Sequence, residues 1–100
     1  MLPLRWTEQA VEHLGGIADF ISLSSPLYAE GMILRIEWRV QLPRTHPQIG
    51  KPALEFGDQT IRELVEHPYR IFYRPLPDCI EVLAIVHGRN EIPDIPLSQE

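Results

Sequence analysis

The stretch YRIFYRPLPDCIEVLAIV, residues 69–86, contains the two patterns that decide the fold. In residues 69–74 the odd positions hold Tyr or Ile, while Arg70 and Arg74 stand at even positions, and this period of two predicts a strand. Residues 75–78, Pro-Leu-Pro-Asp, predict a turn. Residues 79–86 are almost continuously apolar, which predicts an interior strand that is buried on both faces.

The residues before this hairpin change to helical spacing. Leu2, Leu4 and Trp6 alternate with polar or small positions and predict a short first strand. Thr7 is a good N-cap for a helix that ends at about Leu23. Its apolar stripe has members at i, i+4, i+7 and i+11: Ala10, Leu14, Ile17 and Ile21.

A second helix follows directly. Ser25 and Pro26 fit the N-cap and first helical position. The stripe repeats with Ala29, Ile33, Ile36 and Val40 until Leu42-Pro43 closes the helix. Because so few residues separate the two helices, we expect an antiparallel helical hairpin.

The rest of the chain completes one small domain. Residues 43–60 hold three prolines and two glycines and predict a loop, and residues 60–66 predict another strand. The fold class is therefore α+β, in the order β-α-α-β-β-β, with the hairpin on one face of an antiparallel sheet. The single domain spans 1–100, and the prolines in 91–100 predict an irregular tail.

Composition excludes several classes of function. The net charge is −5 and there is one lysine, which disfavours general nucleic-acid binding. One cysteine, Cys79, gives no internal disulfide and favours a reducing, cytoplasmic location. No segment reaches the length of about 20 apolar residues that a membrane span needs. The four histidines show no paired spacing, so we expect neither a metal nor a cofactor.

The polar residues of the predicted sheet leave two interpretations open. Arg62, Arg70 and Arg74 come from neighbouring strands, and His87 and Arg89 follow the last strand. Together they could bind phosphates, with His87 giving or accepting a proton. They could equally form ion pairs with the carboxylates of the same strands: Glu63, Glu66 and Glu81.

The order of several short motifs resembles that of a known family. Residues 62–64 (Arg-Glu-Leu), 69–73 (Tyr-Arg-Ile-Phe-Tyr) and 87–89 (His-Gly-Arg) resemble the RelE/ParE superfamily of bacterial toxins, and most closely its ParE-like, plasmid-stabilisation members. Trp6-Thr7 and the residues that follow fit the family's opening strand and helices, and residues 46–50 fit its central loop. The resemblance covers about 4–90.

The resemblance implies the toxin of a type II toxin–antitoxin pair that inhibits DNA gyrase by binding it. It implies Arg62, Arg70 and Arg89 as target-binding residues. It also implies a cognate, ParD-like antitoxin, no membrane and no sequence-specific DNA binding by this chain. Where RelE-like members carry lysines this chain has Ile61 and Glu63, and Asn90 stands where many relatives have a second arginine.

Two other functions stay open. One is a RelE-like, ribosome-dependent mRNA endoribonuclease without a metal, in which Arg70, His87 and Arg89 would be the catalytic residues. The other is a family member without toxicity that still binds an antitoxin.

Apolar residues outside the two helical stripes predict where the antitoxin binds, since a small domain seldom exposes so many large apolar groups. They are Val11, Phe20, Leu27, Tyr28 and Met32. We expect an amphipathic helix of the antitoxin to cover them.

Overall fold

The computed structural model describes residues 1–88, so the predicted tail of 91–100 lies outside the described residues. Along the chain the elements are β1 (Leu4–Trp6), α1 (Glu8–Ser22), α2 (Pro26–Arg39), α3 (Leu42–Thr45), β2 (Lys51–Pro52), a 3₁₀ turn (Leu54–Phe56), β3 (Arg62–Glu66), β4 (Tyr69–Pro75) and β5 (Ile80–His87). The α+β class and the order of its main elements are confirmed.

The five strands form one sheet in the order β1-β5-β4-β3-β2. Four of the strands are joined by antiparallel ladders, as predicted, but β1 pairs with β5 in parallel, with Leu4 opposite Ile80 and Trp6 opposite Val82. Antiparallel neighbours can be joined by a tight turn, whereas a parallel neighbour needs a long connection. The whole chain between β1 and β5 supplies that connection, and periodicity alone could not reveal it.

Caps define the two main helices as the sequence predicts. The Thr7 hydroxyl accepts a hydrogen bond from the Ala10 backbone N–H at 3.1 Å, and the Ser25 hydroxyl accepts one from Tyr28 N–H at 3.1 Å. Each cap satisfies a backbone donor that the first helical turn leaves without a partner. Residues 43–60 are not irregular throughout, as the sequence predicted, because most of α3, β2 and the 3₁₀ turn lie within them.

The main core lies between the helical hairpin and one face of the sheet. Met32 and Ile36 of α2 pack in one cluster with Ile71, Tyr73 and Val82, all at most 1% exposed. Leu14, Ile17 and Ile21 of the α1 stripe pack against this cluster, as their spacing predicts. We call this side of the sheet the helix face and the other side the open face.

A bulge changes which residues of β5 reach the open face. Phe72 lies opposite Ala84, but Tyr73 lies opposite Val82, so Leu83 is an extra residue in β5. Leu83 and Ala84 consequently pack in the same open-face cluster, with Phe72. Beyond the bulge, Arg74 and Glu81 are opposite each other.

The short β1 leaves part of the β5 edge to α1. The Thr7 hydroxyl donates to the Leu83 carbonyl at 3.2 Å, and His13 Nδ1 accepts from the Ile85 N–H at 3.1 Å. His13 therefore replaces the backbone carbonyl that a neighbouring strand would offer to the Ile85 N–H. Nδ1 can accept this hydrogen bond only when it carries no proton. Burial lowers the pKa of His13, and the neighbouring Glu12 opposes that shift.

Candidate functional site

Arg70, the arginine of the Tyr-Arg-Ile-Phe-Tyr motif, lies on the open face between two carboxylates. Its guanidinium donates to Glu63 through Nε (2.9 Å) and Nη2 (2.8 Å), and Nη2 also reaches Glu55 at 2.6 Å. Glu63 is buried, and the Arg70 side chain is only 19% exposed. Hydrogen bonds to Glu63 raise the pKa of Arg70, and its hydrogen bond lowers the pKa of Glu55. The Arg70 side chain is therefore fixed in position, and Glu63 and Glu55 neutralise its positive charge.

A second ion-pair group lies farther along the same face. Glu81 accepts from Arg74 at 3.0 Å and from Arg5 at 2.6 Å, and these three residues come from β4, β5 and β1. Asp58 lies 3.7 Å from the Arg74 guanidinium. Arg74 and Glu81 are both buried, and Arg74 Nε has no hydrogen-bond partner among the described residues. The group ties three strands together by charge.

Residues 53–61 form a strap over the open face. Ala53 and Ile61 are buried at its two ends, where the Ala53 N–H donates to the Ile61 carbonyl at 2.9 Å. Between them Phe56 packs edge-on against Phe72, with 4.9 Å between ring centroids. The strap also supplies Glu55 to Arg70, so it covers the sheet with both an aromatic ring and a carboxylate.

Arg62 does not join Arg70, although the sequence grouped them. Arg62 lies opposite Tyr73, a helix-face residue, whereas Arg70 lies opposite Val65. Alternate residues of a strand point to opposite faces, so the two arginines are on different sides of the sheet. Arg62 donates to the Gly50 carbonyl at 2.6 Å and holds the central loop. The prediction that Arg62 shares a surface with Arg70 and Arg74 is therefore wrong.

The central loop is also fastened to the helix face. The Tyr73 hydroxyl donates to the Pro47 carbonyl at 2.8 Å and accepts from the Gly50 N–H at 2.8 Å. A Cβ added at Gly50 would lie 2.7 Å from the Glu63 carbonyl and from the Tyr73 ring, so no larger residue fits there. Burial raises the pKa of Tyr73. Tyr73 is fully buried and belongs to the main core.

The three residues of the ribonuclease alternative are not brought together in the described part of the chain. His87 lies opposite Tyr69, and the two rings meet edge to face at 5.7 Å on the helix face. Arg70 lies opposite Val86 and so is on the open face. Arg89 lies outside the described residues.

Four of the five apolar residues that the sequence assigned to the antitoxin are exposed. Exposure is 54% for Val11, 71% for Phe20, 79% for Leu27 and 51% for Tyr28. Met32 is only 1% exposed and belongs to the main core, so its assignment to an outer surface is wrong. The reason is that Met32 lies three residues after Ala29 and four before Ile36, which are the buried residues of the same side of α2.

The four exposed residues do not form one patch. Val11 and Phe20 are nine residues apart in α1, which places them on opposite sides of that helix. Phe20 and Leu27 instead lie on either side of the turn between α1 and α2.

Two further residues of α2 that the sequence did not assign to an outer surface are also exposed, Leu34 and Trp38. They continue from Leu27 through Gly31 at helical spacing, and this second stripe was visible in the sequence.

Within 1–88 no group of three or more His, Cys, Asp or Glu side chains could hold a metal ion. No helix in the same range is both long and apolar enough to cross a membrane.

Comparison with known proteins gives consistent similarities. The family model described as "ParE toxin of type II toxin-antitoxin system, parDE" matches residues 4–92. Toxin RelE2 of Caulobacter vibrioides is 33% identical over 89 residues, covering 88% of this chain and 97% of that protein. A solved structure described as the chromosomal ParDE TA system from P. aeruginosa is similar with a TM-score of 0.73 and 25% identity, covering 87% of this chain and 96% of that one.

Proposed function

This chain belongs to the ParE toxin family of type II toxin–antitoxin systems, and we propose that it stops growth by binding DNA gyrase rather than by cleaving RNA. The observation that carries the proposal is the compensated charge of the open face. Three arginines there, Arg5, Arg70 and Arg74, contact four carboxylates: Glu55, Asp58, Glu63 and Glu81.

Cleavage of RNA requires cations that stabilise the charge developing on the phosphate. Lys51, which lies opposite Glu63, adds a fourth cation, so four cations face four carboxylates and the open face has no excess positive charge for that purpose. Glu63 is the decisive member, because it is buried and occupies two of the Arg70 donors. The whole chain adds to this effect, since a net charge of −5 repels a phosphate-lined site.

Binding without catalysis needs only a surface that fits the target. In this proposal Arg70 contributes its partly exposed edge, and Arg89 contributes from the chain beyond β5. Arg62 contributes indirectly, by holding the central loop at Gly50.

A cognate antitoxin is the expected partner, since the family is defined by such pairs. We propose that it covers Phe20 and Leu27 around the helical turn, together with Tyr28. Val11 lies on another side of α1 and requires an antitoxin segment that continues around the helix. Gyrase and the ribosome are both cytoplasmic, so either target places the toxin there.

A ribonuclease is the second candidate, and the relative named Toxin RelE2 favours it. That candidate would use Arg70, His87 and Arg89. It would require the strap to leave the open face and His87 to act from the opposite side of the sheet.

One purified preparation tests both candidates. We expect it to inhibit supercoiling by gyrase and to leave mRNA intact in a translating extract, with the antitoxin reversing the inhibition. His87→Gln is the matched variant: under the proposal it inhibits gyrase like the wild type. If supercoiling continues at a large excess of toxin while mRNA is cut, and His87→Gln stops the cutting, the ribonuclease candidate replaces the proposal.

A further inference from the structure

The outer side of α2 carries an apolar stripe that no part of the described chain covers. Its members are Leu27, Gly31, Leu34 and Trp38, spaced by four, three and four residues. The three large side chains are 79%, 60% and 68% exposed, respectively. The buried residues of α2, such as Met32 and Ile36, lie on the opposite side of the helix. α2 is therefore apolar on two opposite sides, of which the fold uses one.

Charges of opposite sign border this outer stripe. By helical periodicity Glu30 and Glu37 lie along one side of it, and Tyr28 and Arg35 lie along the other. Within residues 1–88 neither glutamate forms an ion pair. Arg35 contacts Glu66 at 3.6 Å, but Arg39 holds that carboxylate more closely, with hydrogen bonds of 2.9 and 3.2 Å. The Arg35 guanidinium also lies 5.6 Å from the centroid of the Tyr28 ring. Neither contact is a hydrogen bond, so Arg35 is available to a carboxylate of another molecule.

We propose that this face binds a second copy of the same chain, with the two α2 helices parallel. The spacing matches a short heptad pattern in which Leu27 and Leu34 take d positions and Gly31 and Trp38 take a positions. Glu30 then takes a g position and Arg35 the following e position. In a parallel pair each g residue faces the e residue five positions later in the other helix, so Glu30 meets Arg35 of the second copy twice.

An antiparallel pair has the opposite charge pattern. There g positions face g positions, which would bring Glu30 near Glu37 of the second copy and cause repulsion. Gly31 permits close approach of the helices in either case, because it has no side chain at the middle of the stripe. The sign of the flanking charges therefore selects the parallel arrangement.

The interface is small, since α2 has 14 residues, or two heptads. It falls below the roughly 1,200 Å² that stable complexes bury, so association is weak in the isolated chain. Leu27 also lies on the surface proposed for the antitoxin, so the two partners compete for it, and the contact between two copies forms in the free chain at high concentration. This inference does not depend on the target of the toxin.

Sedimentation velocity of the purified chain tests the proposal, from about 10 µM to about 1 mM, where weak interfaces are populated. We expect the average mass to rise toward a dimer across this range. Leu34→Glu should keep the chain monomeric with an unchanged circular dichroism spectrum. Leu54→Glu is the matched control, because Leu54 is 76% exposed but lies in the strap.

Charge reversal determines the orientation. Glu30→Arg and Arg35→Glu should each weaken dimerisation about tenfold, by breaking two surface pairs and creating like-charge contacts, and the double variant should restore it. A monomer at every concentration would overturn the proposal. So would tighter association of Glu30→Arg, which an antiparallel pair predicts, and so would a Leu34→Glu variant whose only defect is weaker antitoxin binding.

Discussion

The two faces of the sheet are both covered, but by different kinds of interaction. On the helix face Ile71, Tyr73 and Val82 are fully buried under the hairpin in an apolar core, and hydrogen bonds from Arg39 to Glu66 lie beside it. On the open face Glu63 and Arg74, also buried, are stabilised by ion pairs beside a small aromatic cluster under the strap. Apolar burial has no direction, whereas a buried ion pair requires both partners in place.

This difference has a consequence for function. The hairpin seals one face, and the strap with its carboxylates neutralises the other. The exposed large apolar groups lie mostly on the outer side of the hairpin, while the open face still presents the partly exposed edge of Arg70. Four variants or conditions test the difference between the faces, beginning with the largest expected effect.

Truncation under the hairpin should cause the largest loss of stability. We expect Ile36→Ala to lower the free energy of unfolding by about 2–5 kcal/mol, because Ile36 is fully buried and a cavity would remain. The measurement is urea denaturation followed by circular dichroism. Leu34→Ala, two residues away but 60% exposed, should change stability by less than about 0.5 kcal/mol. Equal losses in both variants would contradict the assignment of the two sides of α2.

Removal of the buried charge on the open face should follow. We expect Glu63→Gln to lower the free energy of unfolding by roughly 1.5–3 kcal/mol, since Arg70 would lose its ionised, buried acceptor. Glu55→Gln removes the exposed carboxylate from the same arginine and should cost no more than about 1 kcal/mol. If the two variants are equally stable in urea, the burial of Glu63 does not make its ion pair with Arg70 more important for stability than that of Glu55.

Tyr73→Phe tests a buried polar contact that holds the central loop to the helix face. The variant keeps the ring but leaves the buried Gly50 N–H without its acceptor, so we expect a loss of about 1–3 kcal/mol. Tyr28→Phe, at an exposed ring, is the control and should be nearly neutral. Hydrogen exchange adds a local measurement: the amide of Gly50 should lose protection in Tyr73→Phe. Unchanged exchange there would mean that the hydroxyl does not hold the loop.

The smallest effect is a pH dependence that arises at His13. Its pKa is lowered in the folded chain, so the unfolded chain binds more protons and stability rises with pH in that range. The stabilising contribution is complete above the unfolded value, near 6.5, and is lost as pH falls toward the lower folded value. Wild type should therefore lose more stability than His13→Gln between pH 7.5 and pH 5.5, measured by urea midpoints. Parallel curves for the two proteins would show that His13 does not carry this dependence.

The sequence predicted most of the fold because the patterns were local and strong. The stripes of α1 and α2, the caps at Thr7 and Ser25, and the apolar run of β5 each follow from residues close together in the chain. The exposed positions of Phe20 and Leu27 followed in the same way, as residues off the buried stripe.

The candidate site was less predictable, because it depends on pairings between distant residues. Period two placed Arg70 and Arg74 on one face, but nothing in the sequence chose between phosphates and carboxylates as their partners. The strap that brings Glu55 to Arg70 could be seen only as a proline- and glycine-rich loop.

By itself, then, the sequence determined the two main helices, the strands β1, β3, β4 and β5, their order, most of the buried sides of both helices and the family resemblance, because periodicity and capping act over a few residues. The tertiary structure alone decided the parallel pairing of β1, the separation of Arg62 from Arg70, and the neutralisation of the open face. Those features depend on strand register and on ion pairs between segments far apart in the chain. Such contacts form only when the whole sheet assembles, so no local pattern of residues can specify them.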